Sequence, residues 1–138
     1  MADQVRFELV SPERLELATD VEMVVVPGVE GDFGVLPGHM PLISTIRPGV
    51  IAVFRDGKVA ERIFVEGGFA EVTPESCTVL AEHAKPVAAL DQAKAAQAVQ
   101  DAKEDVEDAK DDETRQEASK ALEVAEARLA AAAEPSPY

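Results

Sequence analysis

GVEGDFGVLPGHMPLISTIRPG, the stretch from Gly28 to Gly49, decides how this chain folds, because its glycines and prolines stand at fixed offsets between apolar runs. Gly28, Gly31 and Gly34 recur every third residue, which suits a chain that turns with positive φ or lets another backbone come close. Pro37-Gly38 marks a turn, and His39-Met40-Pro41-Leu42 leads into the β-like run Ile43 to Ile46. On the N-terminal side, Met23 to Val26 is continuously apolar, as a strand covered on both faces would be. Further back, Val5-Arg6-Phe7-Glu8-Leu9 and Leu15-Glu16-Leu17 alternate, which predicts strands with one buried face. On the C-terminal side, Val50 to Phe54 ends at Asp56-Gly57, the residue pair of a type I′ hairpin turn, so Val59 to Val65 should return beside it. Gly67-Gly68 then opens Phe69 to Thr73, and Thr73-Pro74-Glu75-Ser76 turns the chain into Cys77 to Ala81. Short strands at this spacing predict a compact antiparallel β-sandwich or barrel.

The composition changes abruptly at Lys85-Pro86, after which no Gly occurs and Ala dominates. Two domains are expected, residues 1–86 and residues 87–138. In the second, Leu90, Ala93, Ala96, Val99, Ala102, Val106 and Ala109 recur at three or four residues, and so do Ala118, Leu122, Ala125, Leu129 and Ala132, each set forming one helical stripe. Asp91 offers a carboxylate near the first helix start. The bend is expected at Asp111-Asp112-Glu113-Thr114, with Thr114 as cap, giving an antiparallel two-helix hairpin; one long helix through Thr114 is the alternative. Ala-rich stripes bury little area. Asp101 and Asp105, Glu104 and Asp108, and Asp108 and Asp112 are like-charge pairs four apart, each costing about 0.2–0.5 kcal/mol. A detachable hairpin of marginal stability follows, or else a solvated acidic face without consequence.

With 138 residues, the chain has room for one ordinary domain and an appendage. Its 13 basic and 27 acidic residues give a formal net charge of -14. That balance argues against nucleic acid, which requires a basic face, and against direct adsorption to anionic lipid. The single cysteine, Cys77, forms no intramolecular disulfide, and with only His39 and His83 beside it no metal-ligand cluster is expected. A reducing cytoplasm fits. Neither a secretory leader nor a membrane span of roughly 20 apolar residues is visible, so membrane contact passes only through partner subunits. GVEGDFG matches neither the GxGxxG nor the GxxxxGK[ST] phosphate pattern. His39 has no nucleophile beside it and reads as a packed or partner-facing residue, while Cys77 reads as a small buried hydrophobe. No catalytic residue, metal or cofactor is expected.

The pattern GxxGxxGVLPGHxPL, with Gly67-Gly68-Phe69-Ala70-Glu71-Val72, resembles the epsilon subunits of bacterial F-type ATP synthases, specifically over residues 23–80. The resemblance implies a β-sandwich rotor-coupling domain at the foot of the gamma stalk, against the ring of membrane c subunits, and a regulatory helical hairpin. It implies a non-catalytic role in coupling proton-driven ring rotation to ATP synthesis, at the cytoplasmic face of the bacterial inner membrane. By position in the motif, Asp32 matches the acidic loop residue facing the ring. His39, with Met40 and Leu42 beside it, matches the histidine facing gamma. Ser11 falls where the family also approaches the rotor, turn geometry being the equal alternative. The hairpin would offer contact with the catalytic head.

Two departures bear on regulation. Relatives that bind ATP resemble Leu-Asp-x-x-Arg-Ala at the first helix start, whereas this chain reads Leu90-Asp91-Gln92-Ala93-Lys94-Ala95, and an ammonium does not replace the planar fork of a guanidinium. Inhibitory relatives carry a basic second helix; here Arg115, Lys120 and Arg128 face Glu117, Glu123, Glu126 and Glu134. The hairpin is therefore expected to inhibit weakly. The other functional classes are a free-standing nucleotide-sensing module, tested by ATP binding, and an enzyme, tested by His39→Ala.

Overall fold

The computed structural model describes residues 4–12 and 15–133; Met1 to Asp3, Glu134 and the extreme ends of the two expected domains lie outside that description. The chain divides at Pro86 and Val87 into two compact units.

Among the described residues the first unit holds ten strands: β1 (Val5–Val10), β2 (Leu15–Val21), β3 (Met23–Gly28), β4 (Gly31–Val35), β5 (Leu42–Ile46), β6 (Gly49–Arg55), β7 (Lys58–Val65), β8 (Gly68–Val72), β9 (Ser76–Ala81) and β10 (Ala84–Pro86). They form one wrapped sheet in the order β10-β7-β6-β3-β5-β8-β9-β1-β2, with β4 on β3. β3 pairs through Met23–Val25 with β6 and through Gly28 with β5, so the sheet folds over on itself there. Inward side chains from both halves, among them Val5, Phe7, Leu9, Val24, Val26, Ile51, Val53, Val65, Val72 and Val79, make a single apolar core.

Most sequence patterns have direct structural counterparts. β1 buries Val5, Phe7 and Leu9 in alternation, and Val24, Val25 and Val26 of β3 are all buried. Asp56 and Gly57 both have positive φ, 55° and 77°, joining β6 to β7 as the type I′ turn requires. Leu15 differs: it is 54 % exposed rather than facing the core. An irregularity after Leu9 pairs Val10 with Leu15 and Leu9 with Leu17, which turns Leu15 to the outer face beside Val10. Two strands were not visible in the sequence. Gly31–Val35, which reads as turns, pairs with β3 as β4, and Ala84–Pro86 pairs with β7 as β10.

The buried Cys77 thiol is pushed from 9.0 to about 12 by desolvation. An unfolded chain releases this proton first, so the folded state binds more protons between those values and stability falls as pH rises through that window. The denaturation midpoint should drop more between about pH 8 and pH 10.5 for the parent than for Cys77→Val, and thiol reagents should label Cys77 only on unfolding.

The second unit begins with a 3-10 turn, Val87–Ala89, followed by α1 (Gln92–Asp108) and α2 (Asp112–Ala133). Two helices form, not one. Asp91 caps α1 by accepting the Lys94 N–H at 3.0 Å. The break falls earlier than the sequence suggests, because Ala109 leaves the helical region (ψ 130°) and Asp111, not Thr114, caps α2. The Asp111 carboxylate accepts the Thr114 N–H at 2.7 Å, and this bond holds its pKa below the ordinary value. Cap support is thus present above the ordinary carboxylate range and lost as pH falls through the lowered pKa.

The α1 seam also differs from the predicted stripe. Ala95, Val99 and Ala102 are buried, whereas Ala93 and Ala96 are exposed. Repeated three-residue steps rotate backwards by about 60° each on a helix of 3.6 residues per turn, so Ala93 swings far from Val99 while Ala95 stays near it. Val99, Ala102 and Ala125, with Ala98, Leu122 and Leu129 against them, make a small core of mostly short side chains. The last turn of α1 carries no basic residue and ends in Glu107-Asp108, carboxylates at the negative end of the helix dipole. Arg115 offsets part of this by donating to the Ala109 carbonyl at 3.3 Å.

Candidate partner-binding surface

β5 organises the surface. Leu36 to Pro41 precede it, and Gly38 donates its N–H to the Pro74 carbonyl at 2.8 Å, pinning this loop to the turn between β8 and β9. His39 donates its N–H to the Leu36 carbonyl at 3.2 Å, and its ring Nδ1 donates to the Met40 carbonyl at 2.7 Å. The ring is thereby fixed by its own loop. Met40 beside it is 79 % exposed and Leu42 is 39 % exposed.

Asp32 lies at the other end of β5. It pairs with Pro27 across the β3–β4 hairpin, whose tip is Val29-Glu30, and Gly31 there adopts φ 133°. The carboxylate accepts from Arg47, immediately after β5, at 2.6 Å. Five residues of strand at about 3.3 Å each separate the two sites by roughly 17 Å. Asp32 and His39 therefore stand apart and are not members of one cluster. Ser11 stands level with the Asp32 end, since Val10 pairs with Leu80, Leu80 with Phe69, and Phe69 with Thr45. Its hydroxyl donates to Glu16 at 3.0 Å within the β1–β2 turn.

Between these ends, the outer face of β5, β8, β9 and β1 carries apolar side chains that motif reading passes over. Phe69 and Leu80 are directly paired and 55 % and 53 % exposed, and Ile43 on β5 is 72 % exposed. The signal was present: in Phe69-Ala70-Glu71-Val72, apolar residues occupy both phases of the strand, so one must face outward. Arg47 was likewise missed: it lies within the quoted stretch but beyond Leu42, where the family pattern ends. Among the described residues no three or more His, Cys, Asp or Glu side chains stand where they could hold a metal ion, and no helix is long and apolar enough to cross a membrane.

Residues 4–87 match the family model of the ATP synthase Delta/Epsilon chain, beta-sandwich domain. The ATP synthase epsilon chain of Rhodospirillum rubrum is 52 % identical over 131 residues, covering 95 % of this chain and 98 % of its own. That of Maricaulis maris is 54 % identical over 133 residues, covering 96 % and 99 %. Among solved structures, a chain of the Euglena gracilis mitochondrial ATP synthase, resolved with OSCP, F1 and c-ring, superposes with a TM-score of 0.84 at 27 % identity, covering 95 % of this chain and 82 % of that one. A chain from the Tetrahymena thermophila central stalk and c-ring shares the fold, with a TM-score of 0.67 at 12 % identity. Matched by family model across its sandwich and by relatives across nearly its whole length, the chain belongs to the ATP synthase epsilon chain family.

Proposed function

We propose that this chain is the non-catalytic subunit at the foot of the central stalk of a proton-driven ATP synthase, where it couples the membrane c-ring to the gamma stalk. The observation that carries this reading is the match of about half its residues to ATP synthase epsilon chains across 95 % of the chain. Likeness to a chain resolved with F1 and c-ring supports the partners. This chain sits peripherally at the cytoplasmic face of a bacterial inner membrane and meets the membrane only through the ring.

In this reading residues 1–86 make the coupling clamp. The hairpin tip with Asp32 faces the polar loops of the ring, while the His39 loop, with Met40 and Leu42, faces gamma. The apolar outer face of Phe69, Leu80 and Ile43 continues the gamma contact. Ser11 lies at the ring end. Separation of the two contact points along β5 is what a clamp between two partners needs. Cysteines at positions 32 and 39 in the assembled enzyme should cross-link to ring and stalk respectively; cross-linking of both only to catalytic subunits would reject this placement. The buried Cys77 leaves such experiments undisturbed.

Residues 87–138 form the regulatory appendage, of weak inhibitory effect. The second helix is net acidic, so approach to an acidic surface of the head is repulsive. ATP is a poor clamp as well, since Lys94 stands where relatives that bind it have arginine and Asp91 already accepts the Lys94 N–H. Deleting residues 87–138 should leave ATP synthesis coupled and raise ATP hydrolysis only slightly. A large rise, or tight ATP binding lost in Asp91→Ala, would show that shape rather than charge governs the inhibitory state.

A further inference from the structure

Arg47 reaches across the open side of the β3–β4 hairpin. One terminal nitrogen of its guanidinium donates to the Gly28 carbonyl at 2.6 Å, the other to Asp32 Oδ1 at 2.6 Å. The first acceptor ends β3 and the second lies at the start of β4, so one planar group joins both sides of the turn. Its own main chain is anchored to the same hairpin. Arg47 donates its N–H to the Pro27 carbonyl at 2.9 Å, and Val29 donates to the Thr45 carbonyl at 3.0 Å. Pro48 restricts the backbone of the residue before it. At Gly49 a Cβ would come within 2.9 Å of the Pro27 side chain, so the segment after Arg47 is seated against β3. The fork is thus held in place before any partner arrives.

We propose that Arg47 is the positioning residue of the ring-facing tip, fixing the Asp32 carboxylate and the Val29-Glu30 turn as one rigid contact. The assignment rests on the ring-facing reading of Asp32 given above. The pair is a third or more exposed on each side, and an exposed ion pair contributes little to stability. Its effect lies in geometry. A guanidinium satisfies two acceptors in fixed directions, which an ammonium does not, and a tip that must transmit torque to a moving ring gains from having its carboxylate held in one orientation.

The test compares Arg47→Met, Arg47→Lys, Asp32→Asn and the double variant Asp32→Asn with Arg47→Met, each in the complete ATP synthase in membrane vesicles. Protons pumped per ATP hydrolysed and cross-linking to the ring from Glu30→Cys are read together, beside the thermal midpoint of the isolated chain. Arg47→Met is expected to lose as much coupling and cross-linking as Asp32→Asn, the double variant no more than either, and Arg47→Lys to recover part, all with an unchanged thermal midpoint. Full coupling in Arg47→Met beside impaired Asp32→Asn would overturn the positioning role and leave the Asp32 contact standing. Additive losses in the double variant would also overturn it. Full coupling in both single variants would remove the ring contact itself. If Arg47→Met does not fold, Arg47→Lys with undiminished coupling and cross-linking decides against the proposal.

Discussion

Gly68→Ala should unfold the sandwich, or bring it to the edge of unfolding, although it adds only one methyl group. Gly68 opens β8 with φ 139°, between Ile46 of β5 and Ala81 of β9. A Cβ built there would overlap the main-chain carbonyl oxygen of Leu80 and crowd the Ala81 Cα. Neither atom can rotate away as a side chain would. Relief requires moving β9, which is paired to β1 on its other side and carries the buried Cys77 and Val79. Backbone strain and a displaced core strand together cost on the order of 4 kcal/mol, against a total stability of about 5–15 kcal/mol for a domain. Gly57→Ala is the control: its φ is 77°, but a Cβ there meets nothing within 4 Å, so only the backbone cost of about 1–2 kcal/mol remains. Urea denaturation of the isolated chain followed by circular dichroism measures both. Equal midpoints for the two variants would mean that β9 yields easily at Leu80, and that the sheet is softer than its pairing suggests.

How much of this architecture was legible in the sequence depends on which physical signal each element uses. Hydrophobic period and turn chemistry are local, and they located eight strands, the Asp56-Gly57 turn and both helices. The strand Gly31–Val35 was hidden because its two glycines and its aspartate are poor strand formers on their own; pairing with the buried β3 overrides that preference. Ala84–Pro86 was hidden by its proline, tolerated because the strand lies at an edge. Pairing itself is non-local. Nothing in Val5–Val10 or Ser76–Ala81 announces that these two strands run parallel. In the hairpin, Ala on every face blurred the seam, so the predicted stripe drifted away from Ala95. Asp111 was passed over as a cap because four polar residues in a row offered several equivalent helix starts.

For the candidate site, the same division holds. Asp32 and His39 were singled out by their places in a glycine-rich motif, and the structure sets Asp32, exposed, near the start of β4 and His39, half-buried, in the loop before β5. Their separation along β5 could not be read from six intervening residues, since a loop and a strand of that length reach very different distances. Arg47 is fifteen residues from Asp32, and an ion pair at that range becomes visible only when β5 closes beside β3. Phe69, Leu80 and Ile43 are far apart in sequence and become neighbours only through the pairing of three strands.

Phe69→Lys should leave the isolated chain folded while releasing it from the enzyme. The side chain lies on the outer face of β8 and is 55 % exposed, so a charge there meets water in the free chain and changes stability by no more than about 0.5 kcal/mol. In the assembled rotor the situation reverses. Phe69 has Leu80 directly opposite it on β9 and Thr45 opposite it on β5, and a partner covering this row would strip water from the new ammonium without offering it a counter-charge. An aromatic anchor near the middle of an interface is also where binding energy concentrates, so a weakening of about a hundredfold, near 2.8 kcal/mol, is expected. Retention of the variant on enzyme depleted of its own epsilon chain, measured against added concentration, gives the change directly, with a thermal melt of the free chain beside it. Leu80→Glu should behave the same way, because a charge of opposite sign suffers the same desolvation. If Phe69→Lys weakens retention and Leu80→Glu does not, the partner surface is itself acidic and charge complementarity sets the contact. If neither weakens it, the outer face is solvated in the rotor and the stalk contact is confined to the loop of His39, Met40 and Leu42.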